Sequence, residues 1–322
     1  MTIAFPAMFD SVAVLGLVKS VVADGLRRGS VGNAELPSGD SSAVLFSLLS
    51  QLTTKYPNEP PASFGWANDF LWATPSDAAV GSAMREGLYE PFEVSHVVSK
   101  VEPGFVCVDV GANVGQYALP LARAVGPDGV VLCLEPDGYA CDLLRINARI
   151  NGLLNILVAQ TAVGDANGTS RFYRSRNNAG DHRMHPDKEV EYVGDVGTIT
   201  IDSLSMERID LLKVDVQGHE ASVIHGAMRT LLANPRCRLA IEFWPEGLTK
   251  AGSSTEALAS LVFDELQCEC YIYIPRYADG NNGVDFGAGY SLVPVDKRYV
   301  VETEQWNKLG FFFNLWCERG RQ

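Results

Sequence analysis

The run from Phe105 to Val110 passes at once into Gly111-Ala112-Asn113-Val114-Gly115-Gln116-Tyr117. Its first part is too short for a helix and does not alternate as a half-exposed strand would, so it reads as a strand covered on both faces, broken only by Asp109. Two glycines four apart then permit a tight turn in which backbone amides face outward at a helix N-terminus. Ala118, Leu121, Ala122 and Val125 recur at helical spacing until Gly126-Pro127-Asp128-Gly129 stops them. A second apolar run, Val130 to Leu134, ends in Glu135. Strand, turn, helix and strand make one βαβ unit, which commits the chain to a parallel sheet with helices on its faces.

The alternation continues. A helix is expected from about Asp137 to Asn151, a strand around Ile156 to Ala159, a strand over Asp210–Asp215, a helix through Val223 to Leu232, and a strand over Arg238–Phe243. Ser253-x-x-Glu256 has the form of a capping box opening a further helix. Tyr271 to Ile274 and Phe311 to Trp316 supply two last strands. The pattern breaks between 166 and 201, where Thr169–Tyr173 and Gly197–Ile201 read as short strands around a polar segment holding Asp181, His182 and Arg183. Ahead of all this, residues 1–85 read as a mainly helical extension, with stripes at Val12 to Val22 and Leu45 to Leu52 and packing aromatics at Trp66, Phe70 and Trp72. Residues 86–322 form the main domain, entered through a helix over Phe92–Val101.

With 322 residues, 47% hydrophobic and 20% charged, the chain has ample core for such a domain. The net charge of −13 and the lack of any basic run exclude a nucleic-acid backbone as partner. Its most apolar N-terminal stretch, Ser11 to Val22, is short and interrupted by Lys19, which excludes a membrane span there. Seven cysteines show neither zinc-ligand nor disulfide spacing, so a reducing, cytoplasmic setting is expected. Homo-oligomerisation is left open.

The turn narrows the ligand. Glu135 lies near the roughly 20-residue distance at which an acidic group accepts ribose hydroxyls. Asn113 occupies the place where a dinucleotide fingerprint would need its second glycine, and Asp109 before the turn suits a cationic group better than a pyrophosphate. The reading is an S-adenosylmethionine site. A nicotinamide-dependent oxidoreductase and a non-catalytic binding module of the same fold are the rival readings.

Five marks occur in order: Asp109-Val-Gly-Ala-Asn-Val-Gly115, Glu135-Pro136, Ala162-Val-Gly-Asp165, Ile201-Asp-Ser-Leu204, and Leu212-Lys213-Val-Asp215-Val-Gln217-Gly218-His219-Glu220. With them, the stretch from about Glu90 to Leu248 resembles the FkbM family of S-adenosylmethionine-dependent methyltransferases. The resemblance implies a doubly wound, Rossmann-like class I methyltransferase sheet of seven strands with the last antiparallel. It also implies methyl transfer to a hydroxyl of a sugar, glycoside or polyketide-type acceptor. Ligands sit outside the carboxyl ends of the strands in such sheets. Asp109, Gly111, Ala112, Asn113, Gly115 and Gln116 are then expected along the methionine half of the cofactor, Glu135 at the ribose, and Ala162 and Val163 beside adenine. Glu90 is a candidate for the methionine end and Asp165 for the adenine amino group; an exposed carboxylate is the alternative for each.

Asp215 could orient the cofactor ammonium, act as base, or cap the next helix. His219 and His182 are the other candidate bases, with helix-start packing and plain solvation as their alternatives. His182 lies in the segment expected to cover the acceptor. Lys213, in a buried strand, must pair with a carboxylate. Asp215 and Glu242 alone are too few to argue for Mg²⁺, so metal-independent transfer is expected.

Overall fold

The computed structural model describes residues 41–57, 59, 62–77, 79–275, 289–302 and 312–319. The N-terminal part holds α1 (Ser41–Lys55), an antiparallel hairpin of β1 (Ala62–Ala67) and β2 (Phe70–Pro75), and the short α2 (Gly81–Arg85). The expected stripe at Val12 to Val22 lies outside the described residues, and the aromatics at 66–72 belong to the hairpin. Then come α3 (Pro91–Ser99), β3 (Val106–Val110), α4 (Ala118–Val125), β4 (Val130–Glu135), α5 (Gly138–Ile150) and β5 (Ile156–Gln160). The insertion comprises β6 (Ala162–Val163), β7 (Gly168–Ser175) and β8 (Val190–Ile199). The chain returns through β9 (Leu211–Val214), α6 (Glu220–His225), α7 (Met228–Ala233), β10 (Arg238–Phe243), α8 (Pro245–Lys250) and α9 (Thr255–Ala259). It finishes with β11 (Cys268–Pro275), β12 (Tyr290–Val295), α10 (Lys297–Glu302) and β13 (Phe313–Arg319).

Among the described residues the main sheet has eight strands, ordered β12-β11-β13-β10-β9-β3-β4-β5. Strands β5, β4, β3, β9 and β10 are parallel, and β13 runs antiparallel to β10. Seven strands were expected. The eighth, β12, pairs antiparallel with β11 at the sheet edge, and its Pro294 lies opposite Tyr271. A proline in a short apolar run argues against a central strand, but an edge tolerates the missing N–H donor.

The sheet is buried on both sides. Val108, Val110, Leu212, Val214, Leu239 and Ile241 face one core cluster, while Cys107, Val131, Cys133, Leu211 and Ala240 face the other. The period of two places Asp109 and Lys213, neighbours in register on β3 and β9, on the second face toward α4. The strand order reverses between β3 and β9, so the loops after these two strands diverge and leave a crevice. The insertion forms a separate three-stranded sheet, β6-β8-β7.

Helix ends follow local chemistry. Asp137 caps α5, accepting from Tyr139 N and Ala140 N. Ser254, not Ser253, caps α9; the Ser253 amide instead donates to the Leu248 carbonyl and closes α8. The helix expected through Val223 to Leu232 is two, α6 and α7, parted at Gly226-Ala227. A Cβ on Gly226 would stand 2.0 Å from the Gly164 carbonyl oxygen, so this break is a close backbone approach.

The extension is tied to the main sheet's helices. Asn147 of α5 donates to the Ala73 and Val114 carbonyls and accepts from Ala73 N; one turn on, Asn151 pairs with Leu71 N and the Leu71 carbonyl. The seven cysteines are free and buried. Among the described residues, no helix is long and apolar enough to cross a membrane.

Candidate active site

A cavity opens at the crevice between the loops after β3 and β9. Its floor is the turn after β3. Gly111 has φ 75°, and a Cβ there would lie 1.8 Å from the Asp215 carbonyl oxygen, so only glycine lets these two strand ends meet. Asn113 also takes positive φ, 47°. Its backbone N–H donates to Glu135 Oε2 at 2.8 Å, and its side-chain amide donates to the Ala179 carbonyl at 3.0 Å. The Glu135 carboxyl also accepts from Asp137 N at 2.8 Å. Burial first, then the charge of Asp137, raises Glu135 to about 8.

Lys213 organises the other end. Its ammonium lies 3.5 Å from Asp109 Oδ1 and 3.4 Å from Asp215 Oδ2, donates to the Gly111 carbonyl at 3.2 Å, and sits over the Tyr117 ring. Burial opposes its charge, but Asp215 and Asp109 outweigh it and hold the ammonium well above the ordinary lysine range. The Gln217 side-chain amide, on a residue with φ 53°, donates to Asp215 Oδ1 at 2.8 Å and Glu242 Oε2 at 2.9 Å. Glu242 is pushed far above the usual carboxylate range by burial and by Asp215. Glu90, the left-handed N-cap residue of α3, accepts from Asn314 Nδ2 at 3.2 Å and is raised to about 7 by burial and by Asp215. The loop after β9 is held by Glu220, whose Oε1 accepts from Val216 N and Gly218 N.

Of the residues singled out in the sequence, Glu90, Gly111, Ala112, Asn113, Gln116, Glu135, Ala162, Val163, His182 and Asp215 line this one cavity. Four others do not. Asp109 is completely buried beneath the floor, where it faces Lys213 and burial raises its carboxyl. Gly115 takes φ 102°, a conformation that strains any side-chain-bearing residue, and a Cβ there would also fall 2.4 Å from Leu144 Cδ1. His219 stacks on His185 at 5.6 Å, outside the lining. Asp165 is exposed and also stands apart from the cavity.

Tyr89, Tyr117, Phe172 and Gln217 line the cavity and were not assigned from sequence. Gln217 alone left a signal, its place two residues beyond Asp215. His182 stands at the Glu135 end of the cavity: its Nε2 is 3.8 Å from Asp137 Oδ2. No group of three or more His, Cys, Asp or Glu side chains that could hold a metal occurs among the described residues.

A doubly wound sheet with an added antiparallel edge, a glycine turn at its switch point and a carboxylate ending the neighbouring strand make a Rossmann-like domain. Residues 109–264 match the methyltransferase FkbM domain. Over 156 residues the chain is 30% identical to the 2-O-methyltransferase NoeI of Sinorhizobium fredii, covering 42% of this chain and 63% of that protein. Methyltransferase sdnD of Sordaria araneosa is 26% identical over 153 residues, 37% of this chain and 59% of the relative. The chain thus spans about three fifths of the length of these curated relatives. The crystal structure of the methyltransferase FkbM from Methylobacillus flagellatus KT aligns with a TM-score of 0.40 at 14% identity, covering 95% of this chain and 58% of that one.

Proposed function

We propose that this protein is an S-adenosylmethionine-dependent O-methyltransferase acting on a hydroxyl of a sugar or natural-product acceptor, with residues 86–322 carrying the reaction and 1–85 an extension. The observation that carries this reading is the pairing, across one cavity, of the Glu135 carboxyl at one end with the Lys213-Asp215-Gln217 group at the other. The cofactor fits the residues present. The Gly111 turn brings the ends of β3 and β9 together beside the cavity, and the buried Asn113 Oδ1 there has no hydrogen-bond partner. Glu135 would take the ribose hydroxyls, Ala162 and Val163 the adenine, and Gly111, Ala112, Asn113, Gln116 and Glu90 the methionine half. Bound there, S-adenosylmethionine supplies an electrophilic methyl on a sulfonium.

The chain's own part is alignment and proton removal, since holding two reactants in line removes much of the barrier. Asp215 is the proposed proton acceptor for the hydroxyl. Lys213 and Gln217 each bond one of its oxygens, which fixes its orientation. Asp109 acts from beneath, holding Lys213 in place. The relative NoeI is a 2-O-methyltransferase, which supports a hydroxyl acceptor. Calorimetry with S-adenosylmethionine, S-adenosylhomocysteine and NAD, followed by S-adenosylhomocysteine release on a panel of glycosides, tests the proposal. Binding of NAD alone would replace it with the oxidoreductase reading.

A further inference from the structure

Resting on that cofactor reading, we propose that the β7–β8 insertion is a nucleoside clamp, with His182 binding the purine nucleoside rather than taking a proton from the acceptor. The insertion is built onto the adenosine end. Strand β8 pairs with β6 through Ala162↔Thr198 and Val163↔Ile199, so the cavity-lining residues 162 and 163 belong to the insertion's own sheet. The polar segment after β7 then folds back on the hairpin, where Tyr173 and Arg183 exchange backbone hydrogen bonds of 2.9 and 3.0 Å. It is pinned to the floor by the Asn113 amide on the Ala179 carbonyl.

These contacts set His182 against Phe172, ring centroids 6.1 Å apart, with both side chains lining the cavity. Its Nδ1 accepts from the Ser175 N–H at 3.2 Å. Burial lowers the imidazole from its ordinary value, so the ring is neutral and carries its proton on Nε2. A ring in that state has no lone pair left to take a proton. It has one N–H to give. Nε2 lies 3.8 Å from Asp137 Oδ2, beyond hydrogen-bond reach, and Asp137 is the residue whose amide holds Glu135. The available donor therefore stands beside the carboxyl proposed for the ribose, within reach of the chemistry that a ribose oxygen or purine ring nitrogen presents.

The test is calorimetry on the full chain with S-adenosylhomocysteine and with 5′-methylthioadenosine, a thioether nucleoside lacking the amino-acid end. His182→Ala should weaken both by about fivefold, the equivalent of one neutral hydrogen bond. His182→Gln, which keeps an N–H donor, should recover part of the loss, and it serves as the deciding variant if His182→Ala melts early. Unchanged binding of both probes, or a loss confined to S-adenosylhomocysteine, would overturn the clamp. Wild-type protein that binds neither probe would instead overturn the cofactor reading, and the clamp with it.

Discussion

Gly111→Ala isolates what the close approach of β3 and β9 contributes. Two costs combine at this position. An L-residue at φ 75° is in the left-handed region, which costs about 1–2 kcal/mol. The new methyl would also lie 1.8 Å from the Asp215 carbonyl oxygen and 2.9 Å from its carbon, and both are backbone. No side chain can swing aside, so the strand ends must part, at the roughly 1–3 kcal/mol typical of overpacking. The sum is about 2–5 kcal/mol.

Gly152 provides the control. It follows the C-cap of α5 with φ 68°, its successor Leu153 donating back to the Ala148 carbonyl, and a Cβ there meets nothing within 4 Å. Gly152→Ala should therefore cost only the conformational part. Urea denaturation of both variants, with S-adenosylhomocysteine calorimetry on the folded protein, reads the difference. Gly111→Ala should be the less stable by about 1–3 kcal/mol and should lose affinity as the Asp215 loop shifts, while Gly152→Ala binds normally. Equal stability losses, or intact binding in Gly111→Ala, would refute the argument that the switch point requires backbone contact.

Glu135→Ala should weaken S-adenosylhomocysteine binding about ten- to a hundredfold by calorimetry at about pH 9, where the carboxyl is ionised and the lost contact is charge-assisted. Glu220→Ala strips the shared acceptor from Val216 N and Gly218 N and should destabilise by about 2–6 kcal/mol in urea, with Glu220→Gln milder because it keeps an acceptor. Glu90, raised to about 7, binds its proton more tightly in the folded state, so its contribution is full below about pH 4.5 and is lost as pH rises toward 7. Glu90→Gln should accordingly melt higher than wild type at pH 8, with the gap closing by about pH 5 in a thermal scan series. Turnover should survive exhaustive EDTA treatment and dialysis; loss restored by Mg²⁺ would make Asp215 a metal ligand.

The βαβ core was legible because covered parallel strands leave unbroken apolar runs, and α5 was legible to its caps, Asp137 and Asn151. Lys213 declared in advance that it needed a carboxylate, though not which one, since a buried ammonium must be paired. What escaped was anything set by contacts between distant segments. Residues 177–184 follow β7, and only the Tyr173–Arg183 bridge and the Asn113 amide on the Ala179 carbonyl bring them to the cavity. His219 shares a motif with Asp215, yet the turn at Gly218, φ 101°, carries it out of the cavity. Asp109 looked like a ligand-facing residue because it precedes the turn. Its partner Lys213 is fixed by sheet register, which one sequence does not display.

The two asparagines of α5 have a consequence for solubility. Residues four apart on a helix are separated by about 6 Å along its axis, and alternate residues of a strand by nearly 7 Å. Asn147 and Asn151 can therefore serve Ala73 and Leu71 much as a neighbouring strand would, each amide giving one donor and one acceptor to the free side of β2. A two-stranded hairpin ordinarily offers both margins to other chains. Here one margin is already answered by a helix, so the hairpin cannot recruit a foreign strand along it. Replacing both asparagines with leucine, which keeps the branched shape but loses the amide, would reopen that margin and turn an anchoring surface into a seed for intermolecular β-pairing.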